Sequence, residues 1–200
     1  MPVLGITGGI ATGKTLFTGC LARLFPELSV FDSDACAREL TASNPEILTA
    51  IRDHFGPAVF DDAGVLQRAA LRSIVFADPV QRKALESILH PAIRRTWVDL
   101  ARHIRQQQGD PWLAVDIPLL FETSAQSHFD KIVVVACSAK TQLARLLNAR
   151  RLAPGLAESM IASQLPLADK IDRADFVIWN DGAVASVESQ ARLLSVHLFS

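Results

Sequence analysis

Eight residues near the amino end, Gly8-Gly9-Ile10-Ala11-Thr12-Gly13-Lys14-Thr15, fit the pattern GxxxxGK[ST]. The spacing has a chemical purpose. Glycines let the chain fold back so that successive main-chain N–H groups point at phosphate oxygens, and the helix that follows adds its positive end. Lys14 is then placed to reach the β- and γ-phosphates, and the Thr15 hydroxyl to ligate Mg2+. An apolar run precedes the loop, and Leu16, Cys20, Leu21 and Leu24 follow it at helical spacing. Such a loop binds a nucleoside triphosphate, with Gly9, Ile10, Ala11, Thr12, Gly13, Lys14, Thr15 and Leu16 as the binding residues.

Two acidic positions complete a transfer chemistry. Phe31-Asp32-Ser33-Asp34 follows a second apolar run, and in open α/β sheets ligands enter at the carboxyl ends of strands. There Asp32 can accept the proton of an attacking hydroxyl while a neighbour helps hold Mg2+. Capping of the next helix by Ser33 or Asp34 is the alternative role. Asp116 ends Trp112-Leu113-Ala114-Val115, a Walker B arrangement that acts on Mg2+ directly or through water. Either Asp34 or Asp116 suits the metal. The guanine-reading Asn-Lys-x-Asp and the LSGGQ signature are absent from the sequence.

The elements that must position these groups are strand-like apolar runs alternating with longer helical patterns, the signature of an α/β protein with a parallel sheet. Strands are expected at Val3–Thr7, Ser29–Phe31, Trp112–Asp116, Lys131–Ala136 and Phe176–Trp179. About 75 residues between the second and third read as helix, opened by Asn44-Pro45 and Asp78-Pro79 and broken at Gly56-Pro57 and Asp61–Gly64. That is a helical insertion. Ser138–Lys170 reads as a helical lid interrupted near Pro154-Gly155, with arginines at its start, and Val184–Phe199 as an amphipathic helix. Trp97 and Trp179 read as packing residues, and His54, His103, His128 and His197 lack metal-ligand spacing.

Composition sets the surroundings. The chain has 200 residues, half of them apolar, and a net charge of −1. No global field recruits nucleic acid or an anionic membrane. No apolar run approaches the ~18 residues of a membrane helix. Three cysteines without a CxxC pair and a start lacking a secretory pattern point to a reducing, cytoplasmic compartment.

Six segments in register resemble the dephospho-coenzyme A kinase family. They are GITGGIATGKT; FDSDACAREL; GVLQRAALRSIVF from Gly64, with Arg68 and Arg72; LHPAIR over Leu89–Arg94; DIPLLFE over Asp116–Glu122; and the stretch SQLPLADKIDRADFVIWNDG that ends at Gly182 and combines a lid end with a strand. The resemblance implies a three-layer P-loop kinase fold with a five-stranded parallel sheet. It implies one domain over 1–200, with a core of about 1–40, 110–138 and 171–200, an insertion of about 41–109 on the CoA side and a lid of about 139–170. It implies ATP-dependent phosphorylation of the ribose 3′-hydroxyl of dephospho-CoA, giving CoA and ADP, by a monomer or weak homo-oligomer with ATP and Mg2+ as cofactors.

By position, Asp32 matches the general base, Lys14 and Thr15 the phosphate and metal ligands, and Asn180 the adenine side. Asp34, Arg68, His90, Arg94 and Pro118, Leu119, Leu120 and Phe121 fall where the family meets its acceptor, and Thr15 and Asp116 where it holds metal. Arg145 and Arg150, with Arg151, are the lid cations that would stabilise the charge of the transferring phosphoryl group.

Departures from the family pattern accompany the match. Ala11 stands where glycine is usual, and alanine fits there with negative φ. Thr15-Leu16 replaces Ser-Thr, keeping one hydroxyl. The second lid arginine comes five residues after Arg145 instead of four, about 100° further round the helix unless the turn is rewound. Another small-molecule P-loop kinase, shikimate-like or nucleotide-like, and a nucleotide-dependent switch without transfer activity are the alternative functions.

Overall fold

The computed structural model describes residues 2–106 and 112–199. The part of the expected insertion and returning core at 107–111 therefore lies outside the described residues. The chain divides into two compact units, Met1–Phe31 with His103–Ser200, and Asp32–Arg102.

The first unit is built on a parallel sheet of five strands in the order β2-β3-β1-β4-β5. They are β1 (Val3–Gly8), β2 (Ser29–Asp32), β3 (Leu113–Asp116), β4 (Lys131–Ala136) and β5 (Phe176–Trp179). Strand β1 lies in the middle, pairing with β3 from Val3↔Leu113 to Ile6↔Asp116 and with β4 from Leu4↔Lys131 to Gly8↔Val135. All six of its residues are buried, as strands covered on both faces require. Alternation along β4 shows the two covers. Val133 and Val135 pack with Leu4, Ile6, Phe17 and Leu21, under α1 (Lys14–Leu24) and α9 (Val184–Phe199). Ile132, Val134 and Ala136 face the other way, onto Leu120, Phe121 and Ala125 and onto Leu167 and Ile171 of α8 (Leu167–Ile171). Three layers result.

The stretch expected to form a lid folds as α6 (Ala139–Asn148) followed by α7 (Pro154–Ala162). Its break falls at Ala149–Ala153, just before Pro154. Proline takes the first helical position of α7, where its missing N–H costs nothing.

Trp179 departs from its expected packing role. It ends an edge strand and is 46% exposed, with its indole N–H donating to Asp181 Oδ2 at 3.2 Å. Trp97 is buried, 3% exposed.

The second unit is helical: α2 (Ser33–Ser43), α3 (Pro45–Phe55), α4 (Arg68–Ala77) and α5 (Pro79–Arg105), the last running through Pro91 and on into the first unit. Asn44 caps α3 by accepting the Ile47 N–H at 3.0 Å, with Pro45 at the first position, as its sequence indicates. Ile47, Ile51, Val59, Phe60, Leu66, Leu71 and Ala92 form this unit's own core. Among the described residues no helix is long and apolar enough to cross a membrane.

Candidate active site

The loop after β1 is held in a conformation few sequences can adopt. Gly8 has φ +156°, and a Cβ there would sit 2.3 Å from the Val135 carbonyl oxygen on β4. Thr12 closes the turn, its N–H and hydroxyl both donating to the Gly9 carbonyl, at 3.4 and 2.9 Å. Ala11 (φ 60°) and Gly13 (φ 97°) are both left-handed. The negative φ expected of Ala11 is thus not adopted: alanine takes glycine's conformation there, at a cost of about 1–2 kcal/mol. Helix α1 begins at Lys14 with no side-chain cap on Gly13, so its first N–H groups are not spent on a capping side chain.

Side chains from distant elements brace this loop. Asn180, after β5, is 2% exposed and donates from Nδ2 to the Thr12 carbonyl at 2.8 Å. Arg145 on α6 donates from Nη1 to the Ala11 and Thr12 carbonyls, at 3.2 and 3.1 Å, and from Nη2 to the Asn180 carbonyl at 2.8 Å. Gln142, one turn earlier on the same face, donates to the Ile10 carbonyl at 2.8 Å. Gln164 accepts the Ile10 N–H at 2.7 Å.

The backbone departs from regular helix where the second lid arginine falls. The Arg145 carbonyl accepts the N–H of both Ala149 and Arg150, at 3.1 and 3.3 Å, and the Leu146 carbonyl accepts from Leu152 at 3.2 Å. Hydrogen bonds reaching five and six residues back widen the last turn, and Arg151 leaves it left-handed at φ 52°. The helix ends at Asn148, before this wide turn, and Arg150 follows it as an exposed residue.

Asp116 ends β3 opposite Ile6, two residues before the loop. The segment after it turns back over the sheet. Leu120 and Phe121 are buried at 0% and 6% exposure, so their side chains serve packing while Pro118 and Leu119 are half-buried. Thr7 donates its hydroxyl, and Lys170 of α8 its ammonium, to the Pro118 carbonyl, each at 3.2 Å. Lys170 is wholly buried and pairs with Glu122 at 2.7 Å. Burial pulls its pKa below the usual lysine value, the bond to Glu122 pushes back, and the Lys14 charge lowers it further.

The oxygen donors suit a magnesium ion. A hydroxyl at Thr15 and a carboxylate at Asp116 are hard ligands, and Mg2+ takes one or two such groups and completes its shell with water and phosphate. Among the described residues no group of three His, Cys, Asp or Glu makes a closed metal cage.

In the second unit, Asp32 itself caps α2. Its Oδ1 accepts the Ala35 N–H at 2.9 Å, while Oδ2 lies 4.0 Å from Arg38. Capping therefore falls to Asp32, not to Ser33, which is buried, or to Asp34, which is exposed in the first turn. Arg68 donates to the Arg38 carbonyl. His90 and Arg94, four apart on α5, line a cavity of about 410 Å3 with Arg95, Val98, Asp99 and Arg102. Burial lowers the His90 pKa, Glu86 raises it and Arg94 lowers it.

Gln142, Gln164, Lys170 and the bracing role of Arg145 escaped the sequence reading. Gln142 and Arg145 share a helix face at i and i+3, a signal that was present. Gln164 and Lys170 have no local signal.

A family model for dephospho-CoA kinase matches residues 2–186. The dephospho-CoA kinase of Xanthomonas euvesicatoria pv. vesicatoria is 43% identical over 199 residues, 97% of this chain and 94% of that protein. A Thermus thermophilus crystal structure superposes with a TM-score of 0.79 at 28% identity, over 100% of this chain and 98% of its own. A dephospho-CoA kinase from Campylobacter jejuni shares the fold, with a TM-score of 0.65 at 22% identity over 98% and 96% of the two chains. With the braced loop closing β1, these matches place the chain in the dephospho-CoA kinase family.

Proposed function

We propose that ATP lies with its phosphates on Gly9–Leu16 and that its γ-phosphoryl group passes to the ribose 3′-hydroxyl of dephospho-CoA, with Asp32 as general base. Phosphoryl transfer is mostly positioning and charge stabilisation. The hydroxyl oxygen bonds to the γ-phosphorus, its proton goes to Asp32, and the bond to the β–γ bridging oxygen breaks, leaving ADP with the electron pair.

One observation carries the reading: a left-handed, uncapped turn held from outside by Asn180, Arg145 and Gln142. Lys14 supplies charge at the β- and γ-oxygens. Arg145 is already committed to three carbonyls, so Arg150 and Arg151 are the lid cations left to meet the transferring group. The capping bond fixes Asp32 Oδ1 and leaves Oδ2 for the proton. Bound through Thr15 and Asp116, Mg2+ would neutralise charge on the β- and γ-oxygens.

Asp34, Arg68, His90, Arg94, Pro118 and Leu119 make the acceptor side, with Leu120 and Phe121 supporting that loop from below. The insertion, about 41–109, serves the acceptor, and the lid, about 139–170, closes over the nucleotide. Three buried free thiols support a cytoplasmic protein, and a net charge of −1 one that acts without nucleic acid or membrane; a monomer or weak homo-oligomer completes the proposal.

Purified protein with Mg2+ and ATP is expected to release ADP and CoA in equal amounts only when dephospho-CoA is added. Stimulation by shikimate or a nucleoside monophosphate in its place would move the assignment to another P-loop kinase.

A further inference from the structure

The segment joining α7 to α8 touches both halves of the reaction. Gln164 accepts the Ile10 N–H at 2.7 Å while Gln142 donates to the Ile10 carbonyl at 2.8 Å, so two glutamines hold both polar groups of one residue in the phosphate loop. The next residue, Leu165, donates its N–H to Glu122 Oε1 at 2.9 Å. That same oxygen takes the buried Lys170 ammonium at 2.7 Å, and Lys170 also reaches the Pro118 carbonyl at 3.2 Å. Two adjacent residues thus clasp the phosphate loop on one side and the Asp116–Glu122 segment on the other.

We infer that Gln164 is a positioning residue that couples the two substrate sites, by holding the Ile10 N–H only while the Leu165 N–H is seated on Glu122. The Ile10 N–H belongs to the phosphate loop and is already occupied by Gln164, whereas the Leu165 N–H lies outside it. The two anchors are on adjacent residues, so a shift of the backbone at Leu165 also moves the Cα from which the Gln164 side chain reaches Ile10. A carbonyl side chain on a main-chain N–H is a directional bond, lost when either end moves by an ångström. When the acceptor settles the Pro118–Glu122 loop, the clasp settles the phosphate loop with it, and nucleotide binding then costs less ordering. The coupling is reciprocal. Its acceptor arm rests on the reading that Pro118–Glu122 meets dephospho-CoA.

The test is calorimetric titration of a non-hydrolysable ATP analogue, with and without saturating dephospho-CoA, on the full chain. Wild type is expected to bind the analogue about fivefold or more tightly with dephospho-CoA present, within the usual range of coupling. Gln164→Met keeps the length but loses the acceptor, and its ratio should fall below about twofold by the same measure. Gln164→Glu keeps an oxygen on Ile10 and should keep the ratio, even as its charge weakens binding of the analogue in both conditions. A merely structural role would move affinities and thermal stability but not separate these two variants. A wild-type ratio near one, a wild-type ratio in Gln164→Met, or loss of the ratio in both variants overturns the coupling. If dephospho-CoA alone fails to bind wild type, the acceptor assignment itself has failed, and the coupling falls with it.

Discussion

Asn180 and Gly13 are made for each other: Asn180 Nδ2 donates to the carbonyl of the residue before Gly13, at 2.8 Å, and a Cβ on Gly13 would stand 2.1 Å from that nitrogen. The amide therefore props the phosphate loop from behind. Asn180→Ala removes the prop without a clash, and the loss of one buried hydrogen bond is worth roughly 1 kcal/mol. If the loop grips phosphate and not base, as proposed, ATP affinity is expected to drop several-fold while adenosine affinity holds within twofold. Equal losses for ATP and adenosine would instead make Asn180 an adenine contact.

Ala11 gives the opposite case, a side chain where the backbone asks for none. At φ 60° alanine gives up about 1–2 kcal/mol. Glycine recovers that but gains unfolded-state entropy worth ~0.4–1 kcal/mol. Ala11→Gly should leave a net gain of about 0–1.6 kcal/mol, centred on about 0.8, and raise Tm by roughly 2–3 °C at that centre. A lower Tm by scanning calorimetry counts against the left-handed assignment.

The reason Ala11 was misjudged also explains what could be read and what could not. Five strands were legible because each is a short apolar run, and Lys131–Ala136 and Phe176–Trp179 match to the residue. The loop was legible because its pattern is local. Its backbone angles were not, because Arg145 and Asn180, more than a hundred residues away, hold the carbonyls of Ala11 and Thr12. Trp179 failed for a related reason: an apolar run announces a strand but not whether that strand is the edge of the sheet. The Lys170–Glu122 pair spans 48 residues of sequence, and nothing nearby marks either partner.

Asp32 allows chemistry and folding to be separated. Its Oδ1 caps α2, and asparagine is as good a cap as aspartate. Asp32→Asn should keep the melting temperature and ATP binding while losing about 10²–10⁴ in kcat, the usual contribution of a general base. Asp32→Ala should lose the same activity and also about 1 kcal/mol of stability. Turnover of Asp32→Asn near that of wild type removes Asp32 from the base role.

His90 links stability to pH. Burial, its largest influence, holds its pKa below 6.5, with Arg94 adding to the effect and Glu86 opposing it. As pH falls through 6.5, the unfolded chain takes up a proton that the folded chain still resists, so stability is lost from about pH 6.5 downward until the folded pKa is passed. His90→Asn should flatten that part of the Tm-against-pH curve while leaving the region above pH 7 unchanged, as linkage requires. Parallel curves for the two proteins would exclude His90 as the source.

Lys170 and Glu122 should behave as a unit whose halves are worse alone than absent together. Lys170 is wholly buried and Glu122 keeps one-fifth of its side chain exposed, so removing either partner strands the other unequally. Glu122→Gln leaves a buried ammonium with only the Pro118 carbonyl and an amide, at a cost of about 3–5 kcal/mol. Lys170→Met leaves a carboxylate that still accepts the Leu165 N–H and reaches water, and should cost less than Glu122→Gln. The double variant, with no stranded charge, should be more stable than Glu122→Gln alone by denaturant titration, because the desolvation penalty of the ammonium goes with it. Additive losses would mean that the two groups do not compensate one another, and that the loop carrying Pro118 is held by packing on Leu120 and Phe121 instead.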